Sequence, residues 1–162
     1  MTYPVKTSID SFEKRAQNSC MLKTAQGKMK HPSTLHYKNK YQAFYKNLGA
    51  IFCPILQDDV HFKNIGWKHI RYDSHKHRRT PANIAMRFNL LPFVPEVVKN
   101  AKSFIKEEGK LKDGTKIYFY EITETVKANT KTACVTVIIS EVLGGRKHYF
   151  SARYSRKQKK NP

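Results

Sequence analysis

The chain has 162 residues; 31 are Lys or Arg and 12 are Asp or Glu, a formal charge of +19. That length suits one domain with a real core plus an extension, and the charge calls for a polyanionic partner, nucleic acid ahead of an anionic membrane. No apolar run approaches the roughly 20 residues of a membrane-spanning helix, and the opening residues lack the apolar stretch of a secretion signal. Cys20, Cys53 and Cys134 are an odd number without paired spacing, so the expected compartment is the reducing cytoplasm, with export as a toxin the alternative.

In chain order, the first thirty residues read as helix, with Asp10 and Glu13 able to form a capping box. A second helix starts near Ser33 and carries Tyr37, Tyr41, Phe44, Tyr45 and Leu48 at helical spacing, with Gly49 as its stop. An aromatic stripe of this kind is more often core than a surface for stacking bases. The apolar run Ala50 to Leu56, broken by Pro54, carries no firm assignment. A composition change at Gln57-Asp58-Asp59 divides the chain into an N-terminal helical extension (1–60), a principal domain (61–155) and a basic tail (156–162) expected to be disordered.

The principal domain opens on a basic stretch. From His61 to Arg79 stand Lys63, Lys68, Arg71, Lys76, Arg78 and Arg79, four histidines (His61, His69, His75, His77) and one acid, Asp73. A solvated face is the plain alternative for such a run. Asp73 to Arg79 reads as a polar loop. Thr80-Pro81 then starts a helix with a capping hydroxyl and a proline at its first position, and a short helix follows at Pro95. Beyond Lys102 the period drops to two. Strands are expected at Lys102–Lys106, Lys116–Thr125, Thr132–Val142 and Arg146–Tyr154, with hairpin turns at Asp113-Gly114 and Gly144-Gly145. Helices followed by roughly four antiparallel strands predict an α+β fold, with the helices on one face of the sheet.

Strict alternation in the last strand sets His148, Phe150, Ala152 and Tyr154 on one face and Lys147, Tyr149, Ser151 and Arg153 on the other. Phe150 and Ala152 suit the helix-covered side. The second face would then show solvent two cations, a phenol and a hydroxyl, a set able to hold a phosphodiester; an ordinary polar edge is the alternative.

These parts meet the needs of RNA cleavage without a metal. One group must take the 2′-hydroxyl proton, cations must stabilise the phosphorane, and another group must protonate the departing 5′-oxygen. Histidine, with an ordinary pKa near 6.5, can serve either transfer. His75-x-His77 lacks a Cys pair or carboxylate at zinc spacing, and no phosphate-cradling glycine loop is present, so neither metal nor cofactor is expected. Cys53 and Cys134 read as small buried apolar residues.

Gly66-Trp67-Lys68-His69-Ile70, Arg87 with Leu90-Leu91-Pro92, and Tyr149-Phe150-Ser151 resemble the phage- and plasmid-associated branch of the barnase–EndoU–colicin–RelE-like nucleases. The resemblance covers roughly His61 to Tyr154. It implies helices on a four-stranded antiparallel sheet and metal-independent RNA cleavage, typically by toxins acting on tRNA or mRNA and often neutralised by an antitoxin or immunity protein. Position by position it implies that His69 is the leading histidine, Arg87 the helix-borne arginine and Ser151 the hydroxyl of the final strand. The residues themselves suggest Tyr149 or His75 as general acid and Arg153 beside Arg87 on the scissile phosphate. Lys68, Arg71, Arg78, Arg79 and Lys147 would track the flanking backbone. The rival expectations are a non-catalytic nucleic-acid-binding module and a protein-interaction element using the aromatic helix. A membrane-surface role is weaker, because no helix joins a basic face to a strongly apolar one.

Overall fold

The structure, a computed structural model, describes residues 34–73, 76–128 and 131–155. The helix expected before residue 31, Cys20, His31, His75 and the basic tail lie outside them.

Helix α1 (Thr34–Leu48) buries Tyr37, Tyr41 and Tyr45, while Phe44 of the expected stripe turns to solvent. It ends where Gly49 takes a φ of +57°, a left-handed conformation that costs a residue without Cβ little. The run around Pro54 resolves into strand β1 (Ala50–Cys53), a 3-10 turn at Pro54–Leu56 and strand β2 (Asp58–His61). Helix α2 (Asn64–Arg71) follows. Helix α3 (Pro81–Leu90) begins as expected, with the Asn83 amide donating to the Thr80 hydroxyl at 3.3 Å. After a 3-10 turn at Leu91–Phe93 come α4 (Val94–Asn100) and strands β3 (Phe104–Lys110), β4 (Lys116–Ala128), β5 (Lys131–Val142) and β6 (Lys147–Tyr154).

The strands form one six-stranded sheet in the order β1-β2-β6-β5-β4-β3. All neighbours are antiparallel except β2 and β6, which run parallel through Val60↔Lys147 and His61↔His148. The fold is α+β, with helices packed on one face, as the residue order predicts. The sheet holds two strands more than expected because β1 and β2 extend it beyond β6. The expected boundary between residues 60 and 61 therefore falls inside β2, and α1 shares the main core: Tyr37 and Tyr41 stack on Phe88 of α3 at 6.2 and 5.8 Å.

That core lies between helices and sheet, where Phe88, Leu91, Val97 and Val98 meet Ile122, Val137, Ile139 and Ala152. Ile117, Phe119 and Ile138 form a second, smaller cluster, with Phe150 packed against it. Their strand positions are one residue out of phase with the core positions, so this cluster occupies the other side of the sheet.

One contact sets how the helices meet the sheet. At Gly66 a Cβ would sit 2.5 Å from the Tyr149 carbonyl oxygen and 2.5 Å from the Tyr45 hydroxyl. No real Cβ tolerates that, so glycine lets α2 lie directly against the β6 backbone. Trp67, the next residue, then packs against Tyr45 and Phe88, with ring centroids 5.1 and 5.2 Å away. Gly66→Ala is expected to lower unfolding free energy by about 1–3 kcal/mol through overpacking, as read from the urea midpoint; an unchanged midpoint would show that the contact is slack.

Candidate functional site

The outward face of α2 carries Ile65, Lys68, His69 and Tyr72 at spacings of three and four, while Gly66 and Ile70 face inward. Lys68, His69 and Arg71 lie in the last helical turn, where positive charge complements the helix dipole. The chain then folds back. Tyr72 and Arg78 form an isolated antiparallel bridge, and Lys76 takes a positive φ of 64°. The Asp73 carboxylate accepts from the His77 amide at 2.7 Å and lies 3.7 Å from the His77 ring. Arg79 ties the loop to the helix end, donating from Nε to the His69 carbonyl at 3.1 Å.

Helix end and loop enclose an open cavity of about 630 Å³ lined by Ile65, Lys68, His69, Arg71, Tyr72, Asp73 and Lys76. His69 is half-buried there, its ring centroid 3.9 Å from that of Phe150. Lys68 and Lys76 are exposed, as is Arg78 beyond them. The Arg71 guanidinium stands over the Tyr72 ring at 5.6 Å, and its shielded Nε has no hydrogen-bond partner among the described residues. His69, Lys68 and Arg71 are thus brought together, and Arg79 braces the helix end beneath them.

The last strand departs from simple alternation. Ile138 pairs with Ser151 and Ile139 with Tyr149, which leaves Phe150 as an extra residue in a β-bulge. Before the bulge the expected faces are therefore exchanged. Lys147 and Tyr149 turn to the side of the main core, while His148 and Phe150 turn to the side of the second cluster. Beyond it Ala152 and Tyr154 face the core and Arg153 faces out, as expected.

The consequences for the expected site residues are specific. Tyr149 has no exposed surface. It stacks on Phe62 at 5.2 Å, and its sealed-off hydroxyl has no hydrogen-bond partner among the described residues. Burial pushes that phenol far above its ordinary pKa, against a smaller opposing pull from Arg87. A group so placed cannot pass a proton to a substrate outside, which corrects its assignment as general acid. Arg87 and Ser151 do meet, but inside: Arg87 Nη1 donates to the Ser151 hydroxyl and to the Ala152 carbonyl at 3.5 Å, and both side chains are about 5% exposed. They hold α3 to β6 and present nothing to the cavity. Lys147 lies 2.8 Å from Asp58 and 3.4 Å from Glu141. Arg153 donates from Nη2 to both Glu121 carboxylate oxygens, at 2.7 and 2.9 Å. Each of these cations is already matched by acid, so neither stands ready for a phosphate.

The structure adds a pair that the alternation concealed. His148, turned outward by the bulge, lies beside His61 across the parallel β2–β6 junction, their ring centroids 5.9 Å apart. Burial depresses the His148 pKa, and His61, Lys63 and Arg146 depress it further, against a weaker raising effect of the His61 backbone. The signal lay in period two read from β2 as well as β6, but only with the parallel register known.

Two outcomes follow. Tyr149→Phe removes a buried, unsatisfied hydroxyl and is expected to leave stability unchanged or raise it by about 1 kcal/mol in chemical denaturation; a clear loss would reveal a partner for that hydroxyl. His148 should titrate below 6.5 by NMR. Its neutral form supports the fold fully above that ordinary value, and the contribution is lost as pH falls from 6.5 through the lower folded pKa. His61→Ala removes a like charge and should raise the His148 midpoint, and no rise would separate the two rings electrostatically.

Among the described residues no three His, Cys, Asp or Glu side chains converge as a metal site would need, and no helix is long and apolar enough to cross a membrane. No curated protein and no solved structure matches the chain. A family profile matches residues 33–149, from the start of α1 to Tyr149, and runs without a break across the 60/61 boundary. On that match, which covers every described helix and most of the sheet, the chain belongs to the large polyvalent protein-associated domain 3 family.

Proposed function

We propose that this domain is a metal-independent ribonuclease, akin to the barnase–EndoU–colicin–RelE-like group, whose active centre is the cavity at the C-terminal end of α2. The observation that carries the reading is the half-buried His69 imidazole, tilted against the Phe150 ring and lining a cavity with Lys68, Arg71 and Lys76. A polynucleotide phosphate drawn there meets cations on several sides and an imidazole, a group able to accept or donate a proton. The one acid of this stretch, Asp73, also lines the cavity and accepts from the His77 amide, and it is outnumbered there by Lys68, Arg71 and Lys76.

In this mechanism His69 accepts the 2′-hydroxyl proton as that oxygen attacks phosphorus. Arg71 and Lys68 hold the negative charge of the phosphorane. The bond to the 5′-oxygen breaks and the leaving oxygen takes a proton, giving a 2′,3′-cyclic phosphate and a free 5′-hydroxyl. With Tyr149 sealed in the core, His75 is the acid of this proposal; it stands in the chain between Asp73 and Lys76, both of which line the cavity. The RNA would be a tRNA or mRNA, and a protein inhibitor would present acidic groups to the same cavity.

A second reading, a nucleic-acid-binding module without catalysis, is favoured by one observation: Arg87, Ser151 and Tyr149 are all taken up by the interior. The two readings part in one experiment. Purified protein with EDTA and total tRNA or mRNA should yield cyclic-phosphate ends, and His69→Ala should slow cleavage by about 10²-fold or more. Intact RNA in every pool, with salt-sensitive binding that survives His69→Ala, would establish the module instead.

A further inference from the structure

We propose that His61, Lys63, Arg146 and His148 form a second phosphate site, on the outer side of the β2–β6 junction. The part of the proposal that concerns polynucleotide rests on the nucleic-acid reading above; the capacity to bind phosphate does not.

The geometry comes from the parallel register. His61 and His148 are Cα partners, so their side chains leave the sheet on the same side, and their rings stand 5.9 Å apart. Lys63 comes two residues after His61, and its extended backbone continues the alternation of β2. Arg146 comes two residues before His148. Because the strands run the same way, the two exposed cations flank the imidazole pair at opposite ends, and both are near enough to hold His148 toward its neutral form. Among the described residues none of the four lies within salt-bridge distance of a carboxylate.

The acids nearby leave the cluster positive. Asp58 feels His61, but its carboxylate is held by Lys147 at 2.8 Å. Asp59, two residues before His61 on the same strand, is exposed and is the one carboxylate of β2 that shares this face. From β5 the neighbour of His148 is Ser140, a neutral hydroxyl. Like charges gathered without a counter-ion are costly to a fold, and a bound phosphate removes that cost. It accepts from the cations and, as a dianion, favours the protonated form of both rings.

The site also lies on a path. Phe150 follows His148 by two positions, about 7 Å along the strand, and Phe150 carries the His69 ring. A chain of phosphates held at His61 and His148 would therefore continue past Phe150 toward Lys68 and Arg71, so this site would grip a phosphodiester beyond the one at His69.

The test is a pH titration of the histidine ring signals by NMR on the full chain, in sodium chloride and in sodium phosphate of equal ionic strength. In phosphate the His148 midpoint should rise by about one pH unit, and Lys63→Gln with Arg146→Gln should abolish that rise while lifting the midpoint in chloride. Equal midpoints in the two salts, or a phosphate-induced rise that survives both substitutions, overturn the site. Binding of an uncleavable oligodeoxynucleotide should lose about 1.4 from its log-salt slope in the same double variant, two phosphate contacts at roughly 0.7 each. An unchanged slope would deny that the site lies on the strand path. None of these readouts depends on catalysis: a chain that cleaves no RNA yet shows the phosphate shift keeps the site and loses the nuclease.

Discussion

The approach of α2 to β6 at Gly66 governs what the rest of the molecule can do. β2 pairs with β6 over two residue pairs only, and the chain then leaves the sheet as α2, which packs against the next part of β6. With no Cβ at Gly66 the helix backbone comes within contact of the Tyr149 carbonyl. That closeness seals the Tyr149 ring among Phe62, Tyr45 and the helices, and it fits Trp67 between Tyr45 and Phe88. It also lays His69 over Phe150. A bulkier residue at this point would lift the helix, and the His69 ring would lose the surface it rests on.

The local chemistry of the chain was readable where it acts over a few residues. Thr80 and Pro81 announce α3 because a capping hydroxyl and a fixed φ act within one turn. Asp113-Gly114 announces the β3–β4 hairpin for the same kind of reason. The stripe of Tyr37, Tyr41 and Tyr45 was legible as core because its period matches a helix with one buried face.

Three features were not legible, and each depends on contacts distant in sequence. The β1–β2 strands are four residues long and surround a proline; they are strands because β6, nearly ninety residues later (Val60↔Lys147), offers an edge to β2. The bulge at Phe150 is written in no residue type, and a single extra residue exchanges the faces of everything before it. Lys147 and Arg153 looked available because they stood in a basic strand. Their carboxylate partners Asp58 and Glu121 lie 89 and 32 residues away. A reading based on period could place such cations on a face but could not know that the fold had matched them with acid.

That matching bears on where a polyanion would settle. Several carboxylates of the sheet stand opposite sheet cations: Glu141 and Asp58 meet Lys147, Glu121 meets Arg153 and Glu108 meets Lys116. Lys147, Arg153 and Glu121 are mostly covered, so their pairs contribute little field outside. Around α2 the balance differs, since Asp73 is the sole acid between residues 61 and 79 and is turned to its own loop. Part of the excess charge stands on the elements that leave the sheet after β2, around the outward imidazoles, where Lys63, Lys68, Lys76 and Arg78 are exposed. An even coat of charge would serve solubility alone. On the proposed reading, the cations that stand beside the histidines without an acid partner would draw phosphate to the groups that move protons.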